Sequence, residues 1–258
     1  LNTQTKVLAI HSFAIHGTAS MKVMLSILGS YVLPVPSLIL TGLTNIPGHV
    51  KTPVELDKLL RGSLQLARDS QQKLIFYIGY LGSESQADVI LSAIESYRDI
   101  IHTIVVDPVS GDHGRTYVPP EVVAVWPRLL AVADWAFPNY TEIQLLSGVE
   151  PKDLVAPDVY LRAFEERFPR LSFLVTSMPD QAEMGVYMYH EGQGAIFRHE
   201  RLSRFFGGTG DVFGSLFIKH YFLGDETLEF SVKYAAEGTF EVIQRSIVAQ
   251  SSELLVIP

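Results

Sequence analysis

The chain has 258 residues, enough for one large α/β domain or two small ones, and 47% of them are hydrophobic, so a core forms without metals or disulfides. Cysteine is absent, which excludes a disulfide framework and cysteine-ligated zinc and suits a cytoplasmic setting. The formal charge of −8 argues against broad nucleic-acid binding, no apolar run reaches membrane-spanning length, and no signal-peptide pattern opens the sequence, so neither nucleic acid nor membrane is expected as a partner.

Residues 6–10 form a short apolar run typical of a buried first strand. His11, Ser12 and Phe13 follow, and then Met21, Met24, Leu25 and Leu28 mark a helix. In an open α/β sheet, ligands bind at the carboxyl ends of strands, which is where Ser12 falls; the alternative for a serine there is a turn or cap. Residues 31–40 read as a second strand, and Pro34 and Pro36 suit an edge. Residues 41–51 read as a Gly/Thr/Asn/Pro loop, either a lid near a pocket or a plain surface connection.

Residues 54–67 have helical periodicity, with Pro53 near the start. Residues 73–78 and 101–106 are buried-type strands, and residues 87–97 a helix between them. The first of these strands ends at Gly79-Tyr80, the second at Asp107-Pro108-Val109-Ser110-Gly111-Asp112. Two carboxylates five apart on a Gly-containing turn suit magnesium beside phosphate, although turn aspartates are the commoner fate of such a pattern. Helix 122–131, strand 134–137 and a helix to about residue 146 follow. At the start of that helix Asn139 and Glu142 have the spacing of a reciprocal capping box. Helix 159–168 leads to strand 172–176, which ends in Thr176-Ser177. Residues 185–189 and 195–199 read as a hairpin, and residues 227–248 as a long final helix.

Between the hairpin and that helix lies Phe206-Gly207-Gly208-Thr209-Gly210-Asp211. A glycine loop feeding the helix marked by Val212, Phe213, Leu216, Phe217 and Tyr221 aims backbone N–H groups at an anion. A fixed negative charge at Asp211 conflicts with a bound phosphate unless it acts on the nucleophile attacking that phosphate. The alternative is an ordinary aspartate N-cap. No Gly-Lys-Ser/Thr follows, so this is no Walker A loop, and glycines 208, 210 and 214 do not fit a dinucleotide fingerprint. Strand and helix patterns alternate, which predicts a single α/β domain over residues 1–258 with a largely parallel sheet.

Taken in order, Ser12, Gly79-Tyr80, the segment from Asp107 to Asp112, Pro138-Asn139-Tyr140-Thr141-Glu142, Thr176-Ser177 and Gly208-Thr209-Gly210-Asp211 resemble the pyridoxal kinases of the ribokinase superfamily over nearly the whole chain. The resemblance implies a ribokinase-like fold: a largely parallel central sheet flanked by helices, with a small antiparallel hairpin near 185–199. It implies ATP-dependent phosphorylation of the 5′-hydroxymethyl group of pyridoxal, pyridoxine or pyridoxamine, with Mg2+, a monovalent cation (K+ or Na+) and a homodimer. Asp211 would be the base, and Gly208, Thr209 and Gly210 the anion hole. Asp112 and Glu142 would organise magnesium and water at the ATP phosphates, and Asn139, Thr176 and Ser177 would line the phosphate side. Ser12, Thr44 and Tyr80 would contact the pyridine, with Tyr117 close by, and Asp107 and Thr176 would lie near the monovalent cation.

The chain departs from its relatives at Phe137, where they often carry Thr, and at Ser110, where Met or Leu is common. The loop from Ser12 to Ser20 lacks their Tyr-Gly-x-x-Gly-Asn run and also the Gly-Gly-Gly-Ala-Gly run of hydroxymethylpyrimidine kinases. The second strand region is too short for the separate β-sheet lid of sugar kinases. The alternatives are a hydroxymethylpyrimidine or sugar kinase and a catalytically silent B6-binding homologue.

Overall fold

The computed structural model describes residues 5–44, 46–150, 155–180, 183–200, 202 and 204–256. Strand β1 (Thr5–His16) pairs in parallel with β2 (Val32–Gly42), and β3 (Lys51–Pro53) returns antiparallel along the end of β2. On its other side β1 pairs with β4 (Lys73–Ile78), which pairs with β5 (Ile101–Val106). The short strands β6 (Gly111–Asp112) and β7 (Arg115–Thr116) form a ladder of their own. Strands β8 (Trp135–Ala136) and β9 (Ser172–Asp180) continue the parallel run, and β10 (Glu183–His190) and β11 (Gln193–His199) close it antiparallel. The nine-stranded order is β11-β10-β9-β8-β5-β4-β1-β2-β3.

The strands read as continuous apolar runs because both faces of the sheet are covered. Leu8, Ile10, Phe76, Ile78 and Val106 reach one core cluster, and Val7, Ala9, Ile75, Tyr77 and Val105 reach the other. That alternation is the two-residue period of a strand. Helix α1 (Met21–Leu28) covers the second face. Helices α2 (Leu56–Asp69), α3 (Ser85–Ser96), α4 (Pro120–Leu130), α5 (Tyr140–Leu146) and α6 (Pro157–Arg167) cover the first. Helices α7 (Thr209–Phe217) and α8 (Leu228–Val248) return to the second, completing three layers.

The chain leaves β1 for β2 on one side and returns to β4 on the other. That reversal opens a crevice at the carboxyl ends of β1 and β4, the usual ligand position of an open α/β sheet. The register of β1 on β2 slips here: His11 pairs with Pro36 and Phe13 with Ile39, so β2 holds an extra residue. Bulges of this kind re-aim side chains next to sites.

Several elements differ from the sequence expectation. The first strand runs to His16, so Ser12 lies inside it, because β2 keeps pairing beyond the apolar run. Thr41 and Gly42 belong to β2 and Lys51 to β3, so the expected 41–51 loop has paired ends, with Thr41 N donating to Val50 O at 3.0 Å; Asn45 lies outside the described residues. Pro34 and Pro36 sit in the half of β2 that β3 does not reach, where a missing N–H is harmless. Among the described residues of this region no separate sheet forms, since β3 pairs inside the main one. The hairpin near 185–199 is likewise part of the main sheet, turned by Glu191 and Gly192, both at positive φ. The turn after β5 is ordered by the β6–β7 ladder around His113 and Gly114.

Phe217, wholly buried beneath α7, packs on Trp135, Phe137, Tyr221 and Phe222 at ring distances of 5.2–5.8 Å. Phe217→Ala should lower unfolding free energy in urea by about 3–5 kcal/mol, the usual cost of deleting a buried aromatic ring. A change below about 1 kcal/mol would mean that this layer repacks freely.

Candidate active site

Helix α7 starts at Gly208, which has φ 92° and ψ 4°. A side chain there is strained, and its Cβ would stand 2.9 Å from both Ala19 Cα and Thr18 O. Glycine thus lets the loop press against the start of α1. Ser20, at the N-cap of α1 with φ 55°, donates its backbone N–H to Asp211 Oδ2 at 2.6 Å. His11 Nε2 stands 3.0 Å from the other oxygen, Oδ1. This contact lies off the ring N–H axis and does not make an aligned hydrogen bond.

His11 is fully buried, and its Nδ1 accepts the Ser12 N–H at 2.9 Å. Ser12 Oγ donates to Ser20 Oγ at 3.0 Å, linking β1 to the start of α1. Asp107, just past β5, accepts a hydrogen bond from the Tyr77 hydroxyl at 2.8 Å. One ligand atom from each of His11, Asp107 and Asp211 lies within 4.8 Å of the others. Burial, and then the charge of Asp211, push the Asp107 carboxyl up to about 7, against the opposing pull of His11 and Tyr77. Burial and the Asp107 charge also hold the Tyr77 phenol above its ordinary range.

Asn139 and Glu142 do form the capping box of α5. Glu142 Oε2 accepts Asn139 N–H at 2.9 Å, and Glu142 N donates to Asn139 Oδ1 at 3.1 Å. The box also clamps the preceding turn: Glu142 Oε1 accepts Ser110 N–H at 2.8 Å, and Asn139 Nδ2 donates to Gly111 O at 2.7 Å. Burial and Asp107 raise the Glu142 carboxyl well above the usual range. Asp112, on the β6–β7 hairpin, is less engaged; Oδ1 accepts His113 N–H at 2.8 Å and Oδ2 lies 3.4 Å from His113 Nε2.

A cavity of about 400 Å³ gathers most of the residues expected from the sequence: Ser12, Thr44, Tyr80, Asp107, Asp112, Tyr117, Asn139, Glu142, Gly208, Thr209, Gly210 and Asp211. Thr176 and Ser177 line a neighbouring cavity of about 130 Å³, with Met184, Val186, Phe213 and Phe240. The two cavities share Asp112, His113, Phe205, Phe206, Thr209 and Gly210. His113 and Phe205 pack there with tilted rings whose centroids are 4.1 Å apart.

The expected pairing of Asp107 with Thr176 around a monovalent cation meets an obstacle. Asp107 is turned to Tyr77, His11 and Asp211, and the two residues line different cavities. Between their strands Phe137 is buried against Phe217 and has no side-chain oxygen to offer.

Residues 52–255 match the model of a family described as phosphomethylpyrimidine kinase. The chain belongs to that family. The chain is 24% identical to the pyridoxine/pyridoxal/pyridoxamine kinase of Bordetella pertussis, with 97% of this chain and 92% of the relative covered. It is 30% identical to a pyridoxal kinase, PdxY, of Corynebacterium diphtheriae over 69% of this chain and 65% of that one. A Bacteroides thetaiotaomicron protein provisionally named a phosphomethylpyrimidine kinase, crystallised with pyridoxal, superposes with a TM-score of 0.82 at 26% identity, covering 99% of this chain and 91% of that one. The ribokinase-like architecture expected from the sequence is thus the architecture observed, and this member of the kinase family is an enzyme that phosphorylates an alcohol group.

Sequence reasoning passed over His11, Tyr77 and Ser20. The two-residue period was a usable signal for the first pair, because Ala9 and Ile75 share a face with them. Nothing local marks Ser20, whose partner is 191 positions away.

The raised Asp107 carboxyl has a sign that can be tested. The folded state holds this proton up to about pH 7, whereas the ordinary value is 3.8, so its contribution to stability is full below pH 3.8 and is lost as pH rises toward 7. Asp107→Asn removes the titration and should flatten that decline. Melting temperatures of both proteins from pH 4 to 8 check it; parallel curves would place the Asp107 proton at an ordinary pH.

Proposed function

We propose that the protein transfers the γ-phosphoryl group of ATP to the 5′-hydroxymethyl group of pyridoxal, pyridoxine or pyridoxamine. The observation that carries this reading is the Asp211 carboxylate, held by Ser20 at the first turn of a glycine-started helix, inside a cavity of about 400 Å³. Nearly full-length likeness to a B6-vitamer kinase and to a structure crystallised with pyridoxal supports the substrate class.

The vitamer lies in the larger cavity, with Ser12, Thr44 and Tyr80 around the pyridine and Tyr117 at the rim. Its hydroxymethyl group faces Asp211, which accepts the hydroxyl proton as the oxygen attacks phosphorus. The backbone N–H groups of the first turn of α7, at Gly208, Thr209 and Gly210, take the charge of the transferring phosphoryl. The mainly apolar smaller cavity suits the nucleotide base, and the shared wall at Thr209 and Gly210 suits the phosphates between. Asp112 fits a magnesium ligand best, since both Glu142 oxygens already accept backbone N–H groups. Glu142 and Asn139 then organise the turn that carries Asp112 and the water beside it. Magnesium supplies charge neutralisation at the phosphate oxygens. The assembled protein is a homodimer working in the cytoplasm.

Asp211→Asn should reduce kcat for pyridoxal by roughly 10²–10⁴-fold, the usual worth of a general base. Both groups facing Asp211 are N–H donors, so an asparagine amide satisfies only one of them; Asp211→Ala and a melting curve separate misfolding from lost chemistry. Near-parental kcat in a variant that melts normally would remove Asp211 as base. A panel of the three vitamers, hydroxymethylpyrimidine and simple sugars, scored by ADP release, decides the acceptor. Asp112→Asn should raise the magnesium concentration needed for half-maximal rate more than Glu142→Gln does, and equal shifts would return Glu142 to direct ligation.

A further inference from the structure

The geometry points to His11 as a positioning residue that aims the Asp211 carboxylate, using a ring tautomer fixed by the backbone and a space left by Gly79. This rests on the reading of Asp211 as base. The Ser12 N–H donates to Nδ1 at 2.9 Å, so Nδ1 carries a lone pair. That excludes the doubly protonated ring and puts the single proton of neutral imidazole on Nε2. Nε2 is the atom that stands 3.0 Å from Asp211 Oδ1. Its N–H is a donor in a fully buried place and has no aligned acceptor among the described residues. Hydrogen bonds of this kind often tighten only when substrate is bound. With Ser20 N–H on Oδ2 and His11 N–H on Oδ1, the plane of the carboxylate is set, and a free lone pair remains for the substrate hydroxyl.

His11, Asp107 and Asp211 also have the composition of a cation site. The tautomer argues against one: a nitrogen carrying a proton has no lone pair to give a metal. The cluster acts as a hydrogen-bonding group.

The ring is itself held in place. Tyr77 lies parallel to it, with centroids 6.1 Å apart and planes 17° from parallel. At Gly79 the three atoms nearest an added Cβ are all in the His11 ring, at 2.4, 2.6 and 2.9 Å. Gly79 shows no positive φ, so alanine is acceptable to the backbone, and its closest clash is with the His11 ring.

The test uses the full chain with pyridoxal and magnesium ATP, with Asp211→Asn alongside. His11→Ala should lower kcat about 10–100-fold, as a misplaced catalytic group does, with both KM values nearly unchanged and normal melting. His11→Gln should recover most of the loss, because an amide supplies one acceptor for Ser12 and one donor for Asp211. Gly79→Ala should lower kcat as well. The double variant Gly79→Ala with His11→Ala should be no slower than His11→Ala alone, since the added methyl then has no ring to displace. Full activity in His11→Ala, a loss confined to KM, no recovery in His11→Gln, or multiplying losses in the double variant would each overturn the proposal. If the wild type phosphorylates no vitamer, the functional reading fails by itself. Nitrogen NMR of 15N-histidine protein then still decides the tautomer, with the His11 signal assigned from His11→Gln. Protonated Nε2 beside bare Nδ1 upholds the tautomer through which His11 would orient Asp211, and the reverse overturns the proposal.

Discussion

One buried carboxylate joins the two ends of the chain. Asp211 belongs to the first turn of α7, yet its oxygens are held by Ser20 and approached by His11, both near the start of the sequence. The contact requires the glycine loop to lie against the backbone of Thr18 and Ala19, which Gly208 permits. It also requires α1 and α7 to share the second face of the sheet, and their packing around Phe213 and Phe217 supplies that. The apolar layer therefore does more than bury area; it sets the register between two polar segments that have no other reason to meet.

The concentration of acid groups at this end is held in check by different means. Asp211 accepts the Ser20 N–H at a helix start, where the dipole favours negative charge, and lies 3.0 Å from His11 Nε2. Glu142 accepts from Ser110 and Asn139. Asp107 has the Tyr77 hydroxyl alone as hydrogen-bond donor among the described residues, and it is the carboxyl that burial pushes into the neutral range. Glu142 also shows that capping and site-building are not rivals, since the oxygens that cap α5 hold the turn bearing Asp112.

Most of the architecture was legible because apolar runs, glycines and prolines act locally. The parallel strands, the helices between them, the hairpin and the glycine loop all followed from period and punctuation. Strand ends did not, because β1 extends to His16 by pairing with β2 rather than by its own apolar content. In the site, Asp211, Asp112 and the capping box stood out through their turns. His11 did not, since its role depends on a register slip in β2, on the face of β4 and on a missing methyl at Gly79. Those are properties of three strands at once. Phe137 was visible as a departure, and the structure gives its physical meaning: a ring in the apolar layer under α7, packed close to Gly214.

The same long-range joint has a consequence for how the protein comes into being. Chain closure over 191 positions is entropically slow to reach, because no contact in the site rewards it until the second layer has packed. During synthesis the sheet through β9 can form while α7 is still unmade. A nascent chain ending before residue 209 therefore carries Ser12, Tyr80 and Asp107 without Asp211, the residue proposed as base. The glycine loop can dock on the start of α1 only once α7 has been made.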